Sequence, residues 1–325
     1  MVINDRAGKH YAIGEETRQR VWAAVEELSY VTNPAARALA GGRSQVLGIF
    51  TFAPVFPVDF RDFYYPFLLG IEEEAEQQGY DLLLFTSGTG PNRERRIYSD
   101  GTNRLRITDG CVLLGRGGEP AELERLVAEP FPAVFVGRRE IPGGADYAYV
   151  GADYASATAE VIDLFADLGH TRVAYLGWPD SDEPTVDRRR GYNDGLGRRG
   201  LPADPALAHQ LADHEVTADL LAGLRNQGAT ALLAQDDLIA ERVLAHAHDL
   251  GLAVPDDLSI AVLGDPPRGG PSVRDWSGFT IPRREMGQRA LRALVEMLDG
   301  DDAQPLPRLL LPCTLHRGST TAPPP

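Results

Sequence analysis

The period of apolar and polar positions changes repeatedly along this chain, and the changes predict where strands and helices lie. Short runs of consecutive apolar residues predict buried strands. The segments between them carry apolar residues every three or four positions, which predicts amphipathic helices. Strands are predicted at 46–52, 80–86, 110–115, 132–138, 147–153, 172–177, 229–234 and 257–264. This alternation is typical of βαβ units in a parallel sheet.

The intervening helices are predicted at 63–79, 92–106, 121–129, 154–168, 189–199, 216–227, 238–250 and 284–298. A final strand, RLLLPCTLHR, precedes a Pro-rich tail (320–325) that we expect to be disordered. The pattern restarts at residue 147, which indicates two lobes with a cleft between them. Lobe one is predicted at about 46–146 and 280–304, and lobe two at about 147–279 and 305–319.

The stretch 13–44, before the first strand, predicts two helices joined by a Pro-containing connector. Glu15 and Glu16 fall in the first turn of the first helix, where carboxylates complement the helix dipole. PAARALA (34–40) predicts a second helix that ends at Gly41-Gly42. So short a helix is marginal in water, so we expect it to form only when other structure holds it.

Charge is distributed unevenly along the 325 residues. The net charge is −15 overall, but residues 1–44 carry +1 and the remainder −16. An acidic body with a near-neutral N-terminal end is typical of a protein that touches DNA only through that end. An acidic enzyme would have the same overall charge. The two cysteines, and the lack of a signal-like or membrane-spanning apolar run, predict a cytoplasmic protein.

Several longer segments occur in a definite order: EETRQRVWAAVEELSYVTNPAARALAGGRS, VLGIF, FLLGIEEEAEQQGYDLLL, GADY with LGHTRVAYLG, DRRRGY, AQDDLIAERVL, PDDLSIAVLGD and IPRREMGQRAL. In combination they resemble the LacI/GalR family of transcriptional regulators over almost the whole chain. The resemblance implies an α/β fold with a two-lobed, periplasmic-binding-protein-like core (46–325) that dimerises. It also implies a DNA-binding head and hinge helix over 1–45. Met1-Val2-Ile3-Asn4 resembles the end of the family's recognition helix, so the helix-turn-helix is expected to be truncated.

The resemblance also implies DNA-binding residues in the head. Leu39 stands where the family's hinge leucine wedges into the minor groove, and the neighbouring alanines let two hinge helices approach closely. The alternative is a linker helix whose leucine packs on its own body. The residues implied at the DNA interface are Asn4, Asn33, Ala36, Arg37, Leu39 and Arg43.

In the cleft, the resemblance implies effector-binding residues. Phe63 and Tyr64 match an aromatic pair that stacks on the ligand, although any one of these aromatics could equally be core. Arg188 matches an arginine that forks hydrogen bonds onto hydroxyls or a carboxylate, with Arg189 and Arg190 as neighbouring alternatives. The candidate carboxylates are Asp153, Asp236 and Asp265, with Asp237 expected to cap the helix after its strand.

No nucleotide-binding loop or nucleophile-elbow motif follows a predicted strand, so we expect no enzyme. The resemblance implies a homodimeric, ligand-responsive regulator, most simply a repressor that senses a sugar and binds operator DNA if its head is complete. The alternative is a sensor with the same core that no longer binds DNA. No cofactor, metal or membrane partner is expected. His246 and His248 point to different faces of their helix, which argues against a metal site.

Overall fold

Two six-stranded sheets organise the chain in a computed structural model that describes residues 14–27, 43–52, 63–88, 95–180, 182–264, 274–300 and 305–325. The strands are β1 (Val46–Thr51), β2 (Asp81–Phe85), β3 (Tyr98–Ser99), β4 (Thr102–Asn103), β5 (Gly110–Leu114), β6 (Ala133–Val136), β7 (Ala148–Ala152), β8 (Val173–Gly177), β9 (Ala208–Gln210), β10 (Ala231–Ala234), β11 (Ser259–Val262), β12 (Ser277–Thr280), β13 (Arg308–Leu311) and β14 (Thr314–His316).

The first sheet has the order β13-β7-β6-β5-β1-β2, and the second has the order β14-β12-β11-β10-β8-β9. Every pairing within them is parallel except β12 with β14. Central strands such as β5 and β10 are buried along their whole length. Their uninterrupted apolar runs fit sheets that are covered on both faces. The predicted α/β class is confirmed.

The helices are α1 (Glu15–Glu27), α2 (Tyr65–Gln78), α3 (Pro120–Ala128), α4 (Tyr154–Leu168), α5 (Glu183–Arg199), α6 (Ala218–Asn226), α7 (Asp237–Asp249) and α8 (Arg283–Asp299). Two close crossings depend on glycine. A Cβ at Gly287 of α8 would lie 2.2 Å from the Phe67 carbonyl oxygen of α2, and one at Gly191 of α5 would lie 2.2 Å from the Ala155 carbonyl oxygen of α4. Because glycine has no Cβ at these two positions, the paired helices can approach this closely.

The boundary between the lobes differs from the prediction. β7 was expected to open lobe two, but it pairs with β6 and β13 in the first sheet. The predicted final strand is divided at Pro312 into two strands. β13, before the proline, joins the first sheet, and β14, after it, joins the second. Lobe one therefore holds the first sheet with α2, α3 and α8, and lobe two holds the second sheet with α4 to α7. An apolar run in the sequence does not show which strand it pairs with, because pairing depends on contacts between residues that are far apart in the sequence.

Two helix predictions need correction. Over the described part of 92–106 the chain forms the β3–β4 hairpin and a single 3-10 turn (Arg104–Ile107), which begins where the Asn103 side chain accepts a hydrogen bond from the Leu105 N–H. The helix predicted at 189–199 begins at Glu183 instead, because Asp182 caps it and Pro184 suits its first turn. Arg188 consequently lies inside a helix.

The C-terminal segment is ordered, contrary to the prediction. Thr320 is buried; its Oγ1 donates to the Ile260 carbonyl oxygen (2.7 Å) and accepts from the Ser277 N–H (2.9 Å). The Ile260 N–H in turn donates to the Thr320 carbonyl oxygen. These bonds satisfy backbone groups of β11 and β12, which explains why a Pro-rich segment is held in place.

The N-terminal end joins the core at lobe one. α1 confirms the first predicted helix, and residues 1–13 and 28–42 lie outside the described residues. The Asp109 carboxylate accepts from the backbone N–H groups of Ser44 and Gln45, at 2.8 Å each. Arg43 forms an ion pair with Asp299 at the end of α8. The chain thus enters beside the amino ends of β1 and β5.

Candidate ligand-binding site

A cavity of about 400 Å³ lies between the lobes, at the carboxyl ends of strands from both sheets. Arg116 and Arg138 follow β5 and β6 in lobe one, whereas Trp178 and Gln235 follow β8 and β10 in lobe two. In parallel sheets the strand ends meet at one edge, so side chains from distant parts of the sequence converge there. The position of the predicted cleft is therefore confirmed.

Phe63 and Tyr64 form an aromatic wall in lobe one. Their ring centroids are 5.2 Å apart and nearly perpendicular, and both residues line the cavity. Phe63 is 41% exposed, whereas Phe67, one turn further on, is 3% exposed and belongs to the core. Phe67 also lines the cavity, so this buried ring belongs both to the core and to the cavity wall.

Arg188 reaches the cavity from α5. It is 7% exposed, its Nε donates to the Leu263 carbonyl oxygen (2.8 Å), and its guanidinium lies 4.0 Å from the centroid of the Tyr154 ring. Burial raises the pKa of Tyr154, and the nearby guanidinium opposes that rise. Arg189 and Arg190 are exposed, so of the three consecutive arginines only Arg188 faces the cavity.

The predicted carboxylates take different places. Asp236 lines the cavity, but its Oδ1 caps α7 by accepting from the Ile239 N–H (3.0 Å), which is the role expected of Asp237. Its Oδ2 accepts from Trp178 Nε1 at 2.6 Å. Asp153 does not line the cavity; it caps α4 by accepting from the Ser156 N–H. Short polar side chains before a helix favour such caps over distant contacts. Asp265 lies outside the described residues.

Gln235 organises the lobe-two wall and was not predicted. It is 6% exposed, and its Oε1 accepts from the Trp178 N–H (3.0 Å) and from the Tyr175 hydroxyl (3.2 Å). Its Nε2 donates to Thr185 Oγ1 at 2.7 Å. Burial raises the pKa of Tyr175 to about 12, so its hydroxyl remains a donor. These three hydrogen bonds tie the end of β10 to β8 and α5, so the amide fixes the arrangement of this wall.

Ion pairs link the two lobes at the cavity. Arg138 Nη2 of lobe one lies 2.7 Å from Asp187 Oδ1 of α5, and the Asp187 side chain is 6% exposed. Burial acts to lower the pKa of Arg138, but the bond to Asp187 outweighs it and the pKa is raised. Arg116 pairs with Asp180 and Asp182 across the same gap. These pairs hold the lobes in the orientation seen here.

Several lining residues escaped the sequence predictions although a signal existed. Five of them stand within three residues after a predicted or observed strand: Arg116, Arg138, Arg139, Trp178 and Gln235. The rule that ligands bind at carboxyl ends of parallel strands would have selected them. Tyr154, two residues after β7, fits the same rule, whereas Asp187 carries no such signal because α5 brings it to the cavity.

Most of the residues predicted at the DNA interface cannot be placed. Asn4, Asn33, Ala36, Arg37 and Leu39 lie outside the described residues, so their roles stay predictions. Arg43 is described, and it is engaged with Asp299 and the Leu298 carbonyl oxygen. Across the described ranges, no three His, Cys, Asp or Glu side chains are grouped to hold a metal ion. No helix in those ranges is long and apolar enough to cross a membrane.

Comparison with known proteins identifies relatives of this arrangement. The model of the periplasmic binding protein-like domain matches residues 162–321. The HTH-type transcriptional regulator AscG of Escherichia coli (strain K12) is 26% identical over 318 residues, which are 96% of this chain and 91% of AscG. The HTH-type transcriptional regulator AglR of Rhizobium meliloti (strain 1021) is 29% identical over 260 residues, 78% of this chain and 70% of AglR.

Solved structures share the fold. The transcriptional regulator CelR in complex with cellobiose has a TM-score of 0.66 at 22% identity, covering 98% of this chain and 94% of that chain. The lac repressor dimer bound to operator and the anti-inducer ONPF has a TM-score of 0.70 at 20% identity, covering 99% and 93%. The two-lobed core is thus similar to that of DNA-binding regulators along nearly its whole length.

Proposed function

We propose that this chain, a homologue of the HTH-type transcriptional regulators of the LacI family, couples a small polar ligand in its interlobe cavity to operator binding. The observation that carries the proposal is the cavity itself, which both lobes line with polar and aromatic groups. A ligand that contacts both walls binds one relative orientation of the lobes better than another. It therefore shifts the population of that orientation.

The wall chemistry suits a sugar-sized ligand. The exposed ring of Phe63 offers an apolar surface, and Arg188, Trp178 and Asp236 bring polar groups to the lining of the same cavity. Aromatic faces pack against the C–H faces of rings, while planar guanidinium groups fork onto oxygen pairs. A cavity of about 400 Å³ falls within the usual size range of small-molecule sites.

The attachment of the N-terminal end supports coupling to DNA. Arg43, Ser44 and Gln45 are bound by Asp299 and Asp109, which both belong to lobe one. Rotation of lobe one relative to lobe two would therefore carry the head with it. In a homodimer, such a rotation would change the distance between the two heads and thereby the affinity for DNA. We therefore propose a repressor that acts as a dimer. We also propose that it is cytoplasmic and not an enzyme.

The proposal is tested by reciprocal binding. Ligands would be identified by thermal shift over sugars and nucleosides, since a ligand that binds only the folded state raises the melting temperature. DNA would be selected by the chain from a random library and labelled for fluorescence anisotropy. Saturating ligand should change the DNA dissociation constant by about 5- to 150-fold, and DNA should change the ligand's constant by the same factor.

Neighbouring arginines provide a matched pair of variants. Arg188→Gln should weaken ligand binding and the ligand's effect on DNA, whereas Arg189→Gln, on the exposed face of the same helix, should alter neither. A ligand that binds without any DNA being selected would favour the sensor that no longer binds DNA. DNA affinity that ignores every bound ligand would overturn the coupling.

A further inference from the structure

The cavity lining holds arginines and carboxylates in equal number, but their pairing is uneven. The lining arginines are Arg116, Arg138, Arg139 and Arg188, and the lining carboxylates are Glu183, Asp187, Asp236 and Asp237. Two of the arginines, Arg116 and Arg138, are neutralised by carboxylates of lobe two. The other two have no such partner in the part of the chain that the structure describes.

Of these two arginines, Arg139 shows the lack of a carboxylate partner more clearly. Across the described residues no carboxylate forms an ion pair with its guanidinium, and its buried Nε has no hydrogen-bond partner. The group lies 5.3 Å from the centroid of the Phe52 ring. Burial lowers the pKa of Arg139, and the carboxylate of Glu183 opposes this only through space. Glu183 itself accepts a hydrogen bond from the Glu140 N–H.

The backbone of Arg139 is firmly placed. The Tyr147 hydroxyl accepts from the Arg139 N–H and donates to the Arg139 carbonyl oxygen, each at 2.5 Å. The side chain therefore starts from a fixed point immediately after β6. Its guanidinium lines the cavity, and its Nε is buried.

Arg188 approaches from the opposite lobe and is likewise without a carboxylate among the described residues. Its Nε and Nη1 donate to the carbonyl oxygens of Leu263 and Pro184. Neutral acceptors orient the guanidinium but do not cancel its charge. Each wall of the same cavity thus carries one arginine that pairs with no carboxylate of the described residues.

A buried charge without a partner is costly, and the cost is recovered when an opposite charge arrives. We infer that the ligand of this cavity carries an anionic group, a carboxylate or a phosphate, which Arg139 binds. Arg188 contacts the same ligand from lobe two, and Phe63 packs on its ring. This inference rests on the proposed function, because it specifies the ligand class of the same site.

The experiment compares matched neutral and charged ligands on the full-length chain by isothermal titration calorimetry. The pairs are glucose with glucuronate and glucose 6-phosphate, cellobiose with cellobionate, and adenosine with adenosine monophosphate. Inorganic phosphate alone measures the contribution of the anion without a ring. At least one charged member should bind about 10- to 100-fold more tightly than its neutral counterpart, as charge-assisted hydrogen bonds predict.

Three variants assign the effect to Arg139. Arg139→Gln should reduce that preference to about 1, and Arg139→Lys should retain part of it, because lysine keeps the charge but loses the fork. Arg242→Gln, an exposed arginine paired with Asp213 away from the cavity, should leave it unchanged. Melting curves of the ligand-free variants show whether each one folds.

The outcomes separate this inference from the proposed function. A neutral sugar that binds as tightly as its charged counterparts overturns the anionic ligand and leaves a sugar-responsive regulator intact. Charged ligands whose preference survives in Arg139→Gln overturn the role of Arg139. If no member of either kind binds, the anionic ligand is rejected, and the wider thermal-shift screen then decides whether the cavity is a ligand site at all.

Discussion

Single residues set how closely the helices of lobe two can approach. Gly191 and Gly197 lie on the same helix, α5, but their surroundings differ. A Cβ at Gly191 would lie 2.2 Å from the Ala155 carbonyl oxygen, whereas nothing lies within 4 Å of a Cβ at Gly197. One glycine is required by packing, and the other is only tolerated.

We therefore expect opposite effects from the same substitution. Gly191→Ala should lower the free energy of unfolding by about 1–3 kcal/mol, because α4 and α5 must separate. Gly197→Ala should raise it by about 0.5–1 kcal/mol, since alanine restricts the unfolded chain and favours the helix. Urea denaturation of both variants measures the difference. Equal shifts in the two variants would contradict the packing explanation.

At the scale of elements, a few ion pairs connect the two lobes across the cavity. Asp187 of α5 pairs with Arg138 of lobe one at 2.7 Å and with Arg190 of its own helix at 3.1 Å. Only the first of these pairs crosses between the lobes. Asp187 therefore allows the contribution of the crossing contact to be isolated.

Arg138→Gln should open the cleft of the ligand-free protein, because the buried Asp187 carboxylate loses its partner in lobe one and keeps only Arg190 of its own helix. The radius of gyration from small-angle X-ray scattering should rise. Arg190→Gln removes a partner of the same carboxylate within one lobe and should leave the radius unchanged. If both variants scatter like the parent chain, the ion pair does not hold the lobes together.

At the scale of the whole molecule, the C-terminal segment closes lobe two around a buried histidine. His170, at the end of α4, is 1% exposed. Its Nε2 donates to the Ala322 carbonyl oxygen (2.8 Å), so its Nδ1 accepts from the Thr230 hydroxyl (2.8 Å) in the neutral ring. The ring thus joins three distant segments of the chain.

This arrangement predicts a pH dependence of stability. Burial lowers the pKa of His170 below its ordinary value of 6.5, although the bond to Ala322 opposes the shift. The folded state therefore takes up a proton less readily than the unfolded chain. The contribution of His170 to stability is complete above about pH 6.5 and declines as the pH falls below that value.

The contribution is measured as the difference in free energy of unfolding between the parent chain and His170→Gln. At pH 8 we expect about 1–3 kcal/mol, the usual cost of leaving buried polar groups unpaired, and a smaller difference at pH 5.5. His248→Gln, an exposed histidine on α7, corrects for removing a histidine from the chain. A difference that stays constant over this range would show that the ring is not held neutral.

The amino-acid sequence alone determined the class of this fold and most of its longer elements. Apolar runs such as 110–115 located strands, and apolar stripes located helices such as 154–168, because both patterns are set by neighbours close in sequence. The cleft followed from the strand–helix alternation. The family resemblance singled out Phe63, Tyr64, Arg188 and Asp236, and all four line the cavity.

Only the tertiary structure decided which elements belong together and what the site contains. β7 resembles any buried strand, and its place in lobe one depends on pairing with β6 and β13. Asp153 and Asp236 each follow a strand and cap the next helix, yet Asp236 lines the cavity and Asp153 does not. Whether an arginine at the cavity finds a carboxylate, as Arg138 does with Asp187, is decided by how the two lobes meet. Pairing, burial and charge balance are properties of contacts between distant residues, so they emerge when the chain is folded.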